Sequence, residues 1–233
     1  MLNCSNIHVA YREKQVLTGL NFIAPEGKIT GIVGLNGTGK TTLLNAIYGT
    51  VNYQQGEITY KQQALQSGSI AYLETQNFFY QRITGGEYLQ LFRIQHPQFD
   101  VEAWNKVFRL PLEKLTDTYS TGMKKKLAFM GILSLNRPVL ILDEPFNGLD
   151  LETNETLKDI LHILRSKQKT VIVTSHILDT LTTTCDSIHY LNGGIIEQQF
   201  EAPNYAPLKA LLAKFAYGEL ENLVDGLTSS TTS

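Results

Sequence analysis

Glycines at positions 34, 37 and 39 stand just ahead of Lys40 and Thr41, in the run Gly34-Leu35-Asn36-Gly37-Thr38-Gly39-Lys40-Thr41. Glycine lets a backbone turn tightly and aim successive N–H groups at an anion. A helix opening at the same point adds the positive end of its dipole. Lys40 has the reach to meet the outer phosphates of a nucleotide, and the Thr41 hydroxyl suits a magnesium ion. Asn36, Gly37, Thr38, Gly39, Lys40, Thr41 and Thr42 are therefore the candidate phosphate-binding residues.

Two further groups can do chemistry on what that loop would hold. Asp143 and Glu144 close the apolar run Val139-Leu140-Ile141-Leu142. A carboxylate at a strand's carboxyl end sits where open α/β sheets bind ligands. Asp143 is the candidate magnesium ligand, directly or through water. The carboxylates of neighbouring residues diverge, so Glu144 is the candidate for polarising an attacking water; its plainer reading is a capping carboxylate. His176 follows Val171-Ile172-Val173-Thr174-Ser175 and is expected to offer a hydrogen bond near the γ-phosphate.

A third group is less self-explanatory. Ser120-Thr121-Gly122 precedes a helical run from Met123 to Leu133, with Ser120 as the candidate N-cap. Lys124, Lys125 and Lys126 fall in the first turns, where cations oppose the helix dipole by ~0.3–1 kcal/mol each. That conflict points to an anion docking at this helix end. The lysines themselves read as a solvated charge run.

Elements must bring these groups together. Ile29–Val33 reads as a buried strand, the glycine loop follows, and Thr41–Tyr48 reads as a helix stopped by Gly49. Ile7–Tyr11, Leu20–Ile23 and Gly56–Tyr60 are strand-like and pair locally, which predicts an antiparallel sheet beside a parallel one. Between Thr84 and Thr118, Tyr88, Leu89, Leu91, Phe92, Trp104, Val107 and Phe108 have helical spacing broken at Pro97 and Pro111, which predicts a helical insertion whose aromatic stripe is core. Leu157, Ile160, Leu161 and Leu164 predict an amphipathic helix. Ser187–Leu191 and Ile195–Phe200 flank Asn192-Gly193-Gly194 as a hairpin. Leu208, Leu211, Leu212 and Phe215 predict a last helix.

The 233 residues fit one large α/β domain, and 42% hydrophobic residues suffice for a sizeable core. A formal net charge of −2 argues against a broad grip on nucleic acid, and none is expected as a partner. No apolar run nears the ~20 residues of a membrane span, and no secretory signal is visible. Cys4 and Cys185 lack metal-ligand spacing and read as reduced thiols.

The order of phosphate loop, Tyr119-Ser120-Thr121-Gly122-Met123, the Asp143-Glu144 strand, Asn147-Gly148-Leu149-Asp150 and His176 resembles the ATP-binding-cassette ATPases over residues 1 to about 217. Within that family, Tyr-Ser-Thr-Gly-Met followed by lysines looks like cassettes of exporter-type (ABC-2-like) systems. The resemblance implies an α/β fold: a P-loop NTPase core with a parallel sheet, a flanking antiparallel β-subdomain and an α-helical subdomain inserted at about 77–133, followed by a frayed tail at 218–233. It implies ATP and Mg²⁺ as cofactors, ATP hydrolysis with Lys40, Glu144 and His176 catalytic, and Tyr11 and Val16 against adenine. Ser120 and Gly122 would close on the γ-phosphate held by a second subunit packed head to tail, with Asp150 between the sites. Its partners would be that subunit and an integral-membrane permease, whose cytoplasmic helix a groove beside the insertion would receive. The chain would then work in the cytoplasm, peripheral on the membrane's cytoplasmic face. Thr121 and Met123 replace the signature's usual glycine and glutamine. The glutamine expected to touch magnesium falls nearest Thr75, and Gln76, one residue later, is assigned the role. The competing readings are a non-transport regulatory or translation-associated module and a small-acceptor P-loop kinase, which would leave Tyr119–Met123 without purpose.

Overall fold

A computed structural model of the chain describes residues 1–94 and 96–213; Phe215 and the tail 218–233 lie outside the described residues. The N-terminal part alternates buried and exposed positions and forms β1 (Leu2–Tyr11) and β2 (Lys14–Ala24). These run well beyond the segments expected from sequence, because polar residues on the solvent face dilute their apolar pattern. With β4 (Gln55–Tyr60) and β5 (Gln63–Ala64) they make an antiparallel sheet in the order β2-β1-β4-β5.

The second sheet has six strands. β3 (Ile29–Val33) leads through the glycine loop into α1 (Lys40–Tyr48), which ends at Gly49. β6 (Ile70–Leu73) is followed by α2 (Gly85–Arg93), α3 (Val101–Phe108) and α4 (Thr121–Ser134). β7 (Val139–Asp143), α5 (Leu151–Ser166), β8 (Thr170–Thr174), α6 (Leu178–Thr184), β9 (Ser187–Asn192) and β10 (Ile195–Glu201) complete the described order, and residues 206–213 are helical. The strands lie as β10-β9-β3-β8-β7-β6, parallel from β9 to β6, with β10 antiparallel at the edge.

The apolar strands are buried on both faces. In β7, Val139 and Ile141 enter the core shared with α1 and the antiparallel sheet, whereas Leu140 and Leu142 enter the core beneath α4 and α5. This explains why β3, β7 and β8 read as continuous apolar runs. The helices after β6 bury Tyr88, Leu89 and Phe108 against α4, and Phe108 meets Phe129 edge-on. Two stripe residues behave otherwise: Leu91 and Val107 are 46% and 47% exposed. Leu91 lies about 200° around the helix from buried Leu89, and so faces outward.

Candidate functional site

The parallel registers line up the strand ends that carry the candidate residues. Ile32 is level with Thr174, and Thr174 with Asp143. Residues 34–39 turn at this edge from β3 into α1. Gly39 has φ of +109°, and a Cβ there would lie 2.8 Å from Leu17 Cδ2, so no other residue fits without displacement. Leu43 N–H donates to the Gly39 carbonyl at 2.8 Å, starting α1 at once. The first turn of α1 has neither a side-chain cap nor an acidic residue. Its N–H groups therefore face outward with the dipole's positive end, as an anion site requires.

Lys40 Nζ donates to the Gly34 and Leu35 carbonyls at 2.7 and 3.1 Å. Burial lowers its pKa, and the Glu144 and Asp143 carboxylates partly offset this. Asp143 is 2% exposed. It accepts from the Thr41 hydroxyl at 3.0 Å and from the Thr174 hydroxyl at 2.5 Å. Thr174 Oγ1 also accepts the Glu144 N–H at 3.0 Å. Glu144 Oε2 meets the His176 N–H at 3.3 Å and His176 Nδ1 at 2.8 Å. His176 was expected to face a phosphate; it is paired with Glu144, at the same cavity.

That cavity, open and about 440 Å³, brings together Val16, Asn36, Gly37, Gly39, Lys40, Thr41, Thr42, Thr75, Asp143, Glu144 and His176. Thr38 closes the loop instead, its hydroxyl donating to the Leu35 carbonyl at 2.8 Å. Tyr11 is 48% exposed at the end of β1 and does not line the cavity. Gln76 opens on a neighbouring cavity of about 320 Å³ with Thr41, Asn45, Tyr72, Glu74 and Asp143; Thr75 borders both. Thr41 and Asp143 are oxygen donors of the kind Mg²⁺ takes. Among the described residues no group of three or more His, Cys, Asp or Glu could hold a metal. An ion here would therefore draw most of its shell from phosphate oxygens and water, as Mg²⁺ commonly does.

Ser120 and Gly122 stand apart from this cavity. Ser120 caps α4, its hydroxyl accepting the Met123 N–H at 3.2 Å. A Cβ on Gly122 would come within 3.0 Å of the Gly148 carbonyl, so glycine lets the start of α4 approach the loop before α5. Asp150 caps α5 through the Thr153 N–H at 2.8 Å.

The lysines of α4 correct the expectation of a solvated run. Lys125 is 6% exposed and donates to the Glu144 carbonyl at 2.6 Å. Burial lowers its pKa, and Glu144 and Asp143 act against that. Lys126 lies 3.8 Å from Asp150, and Lys124 sits over the Phe79 ring at 6.0 Å. Packing of α4 against the end of β7 places Lys125, while Lys124 and Lys126 are half-buried. Sequence reasoning missed Lys125 and Thr174. The signal for Thr174 was a hydroxyl closing an apolar strand level with Asp143; for Lys125 there was none within three consecutive lysines.

The ABC transporter family profile matches residues 17–147. The ABC transporter ATP-binding protein YtrB of Bacillus subtilis (strain 168) is 28% identical over 200 residues, covering 82% of this chain and 68% of YtrB. The manganese transport system ATP-binding protein MntB of the same organism is 30% identical over 234 residues, covering 94% of this chain and 86% of MntB. The solved structure of an ABC transporter's ATP binding subunit matches with a TM-score of 0.83 at 25% identity, over 91% of this chain and 94% of that one. No helix among the described residues is long and apolar enough to cross a membrane.

Proposed function

This chain belongs to the ABC transporter family as its ATP-binding, ATP-hydrolysing component, and from that premise we propose that it drives a separately encoded, exporter-type permease by closing head to tail on a second ABC subunit around ATP. One observation supports this most. The phosphate loop, Asp143, Glu144 and His176 share one open cavity, while Ser120 and Gly122 lie outside it on the same protomer. A second copy is the natural source of the missing wall.

In this reading the 34–39 loop and the N-terminus of α1 hold the phosphates. Lys40 exchanges the Gly34 and Leu35 carbonyls for β- and γ-phosphate oxygens. Val16 and Tyr11 flank the adenine. Thr41 and Asp143, with Gln76 or Thr75, would hold Mg²⁺, which when bound would supply charge neutralisation on the phosphates. Glu144 accepts a hydrogen bond from the attacking water and aims it at the γ-phosphorus, in line with the bond to the departing ADP oxygen. His176 releases Glu144 Oε2 and donates to the γ-phosphate. The Ser120 hydroxyl and the N–H groups around Gly122 close on that phosphate from the mate.

The insertion at about 77–133 would carry this signature, and a groove beside it lined by Tyr48, Tyr72, Phe78, Tyr88, Phe92 and Ile132 would receive a cytoplasmic helix of the permease. Phe78, 70% exposed, gives such a helix an apolar contact. The chain would then sit on the cytoplasmic face of the membrane.

Replacing Glu144 with Gln tests the reading. ATP turnover is expected to fall ~10²–10⁴-fold, the range of a positioned base. ATP should still bind and hold a dimer burying more than ~1,000 Å². A monomer by light scattering at saturating ATP and Mg²⁺ would overturn it.

A further inference from the structure

Glu144 is one of the few non-glycine residues with positive φ, at +51°. Such a conformation is strained and persists only where surroundings over-determine it. Its side chain is held by His176 and its N–H by Thr174. Its carbonyl accepts from the Asn147 N–H at 3.3 Å and, far more closely, from Lys125 Nζ at 2.6 Å.

Lys125 is an expensive way to make that contact. Its neighbours include Leu73, Phe129 and Leu149, among which an apolar residue would pack without desolvating a charge. Lysine is almost never so buried unless paired. A cation in the first turns of α4 also opposes that helix's dipole. Nothing in phosphate binding requires it, since Lys125 does not line the phosphate-loop cavity. What it does is tie the helix that bears Ser120 and Gly122 to the backbone of Glu144 in the same protomer.

We propose that Lys125 is a positioning residue for hydrolysis: its ammonium fixes the Glu144 carbonyl in the left-handed turn, and so aims the Glu144 carboxylate at the attacking water. The inference rests on the proposed hydrolytic role of Glu144. Without Lys125 the turn after β7 relaxes toward ordinary φ, and the carboxylate swings off line while nucleotide contacts stay intact.

The test compares Lys125→Met and Lys125→Arg with the wild-type chain in steady-state ATP hydrolysis. K125M keeps the length and the apolar stem but has no donor. Its kcat should fall roughly ten- to hundred-fold, the scale on which small misplacements of reacting groups act, with KM for ATP nearly unchanged. K125R keeps a charged donor and should retain most of the rate. Added to Glu144→Gln, K125M should leave the ATP-dependent dimer intact. K125M with wild-type kcat would overturn the proposal, as would loss of ATP affinity and dimer in step with kcat. An inactive K125R at unchanged ATP affinity would overturn it even if K125M did not fold. Absence of ATP hydrolysis by the wild-type chain would instead sink the functional reading beneath it.

Discussion

At the scale of single residues, Thr174 carries more than its hydroxyl suggests. One oxygen donates to Asp143 and accepts from the Glu144 N–H, so both acidic residues take their placement from it. Thr174→Val keeps the shape and removes both bonds. Oδ1 of the buried Asp143 carboxylate and the Glu144 N–H then each lose their partner, while Oδ2 keeps the Thr41 hydroxyl; the loss costs about 1–3 kcal/mol. Urea unfolding should show a lower midpoint at unchanged slope; an unchanged midpoint would mean water replaces the hydroxyl. Asp143, Glu144 and His176 were legible in the sequence because each stands at, or within two residues of, the end of an apolar strand. Lys125 was not, because three adjacent lysines carry no phase, and the inward one is decided only when α4 packs. Gln76 and Thr75 fall past the end of β6, where strand register no longer places a side chain; the structure sets both on a cavity that Asp143 also lines, and Thr75 borders the phosphate-loop cavity as well.

At the scale of elements, the start of α4 combines two demands on Ser120. Within the protomer it is an N-cap, and Asp serves equally well there, with a charge that suits the dipole. Across the proposed dimer it must face a phosphate, where a carboxylate repels. Ser120→Asp therefore separates the two roles. Its melting temperature should match or exceed the wild type, while ATP-driven dimerisation in the Glu144→Gln background should be lost. Retention of the dimer would remove Ser120 from the interface. Ser120→Ala would not discriminate, since losing a cap alone costs ~1 kcal/mol. Of the elements, β3 and α1 were read within a residue, because a β-branched run, a glycine loop and a terminal glycine bracket them. β1 and β2 were read short because half of each faces water. The outward Leu91 and Val107 show that helical spacing marks a helix before it marks which face is core.

At the scale of the whole molecule, the two sheets are joined partly through a histidine that has no place in the chemistry. His189 of β9 is 3% exposed and meets Phe22 of β2 edge-on at 5.0 Å. Its Nε2 has no hydrogen-bond partner among the described residues. Burial pushes its pKa down from 6.5 to about 4. A base whose pKa is depressed by folding is neutral in the native state while the unfolded chain still takes up the proton. Between pH 6.5 and about 4 the unfolded chain thus binds more protons, so stability falls as pH drops through that window. The depressed pKa corresponds to on the order of 3 kcal/mol once pH reaches the folded value. Carboxylates add their own acid dependence, so the wild-type curve alone does not isolate His189. His189→Leu fills a similar volume and cannot be protonated. Its stability at pH 7 should lie near the wild type's, and its loss between pH 7 and pH 4.5 should be clearly smaller. Parallel losses in the two proteins would mean that His189 becomes charged without separating the sheets.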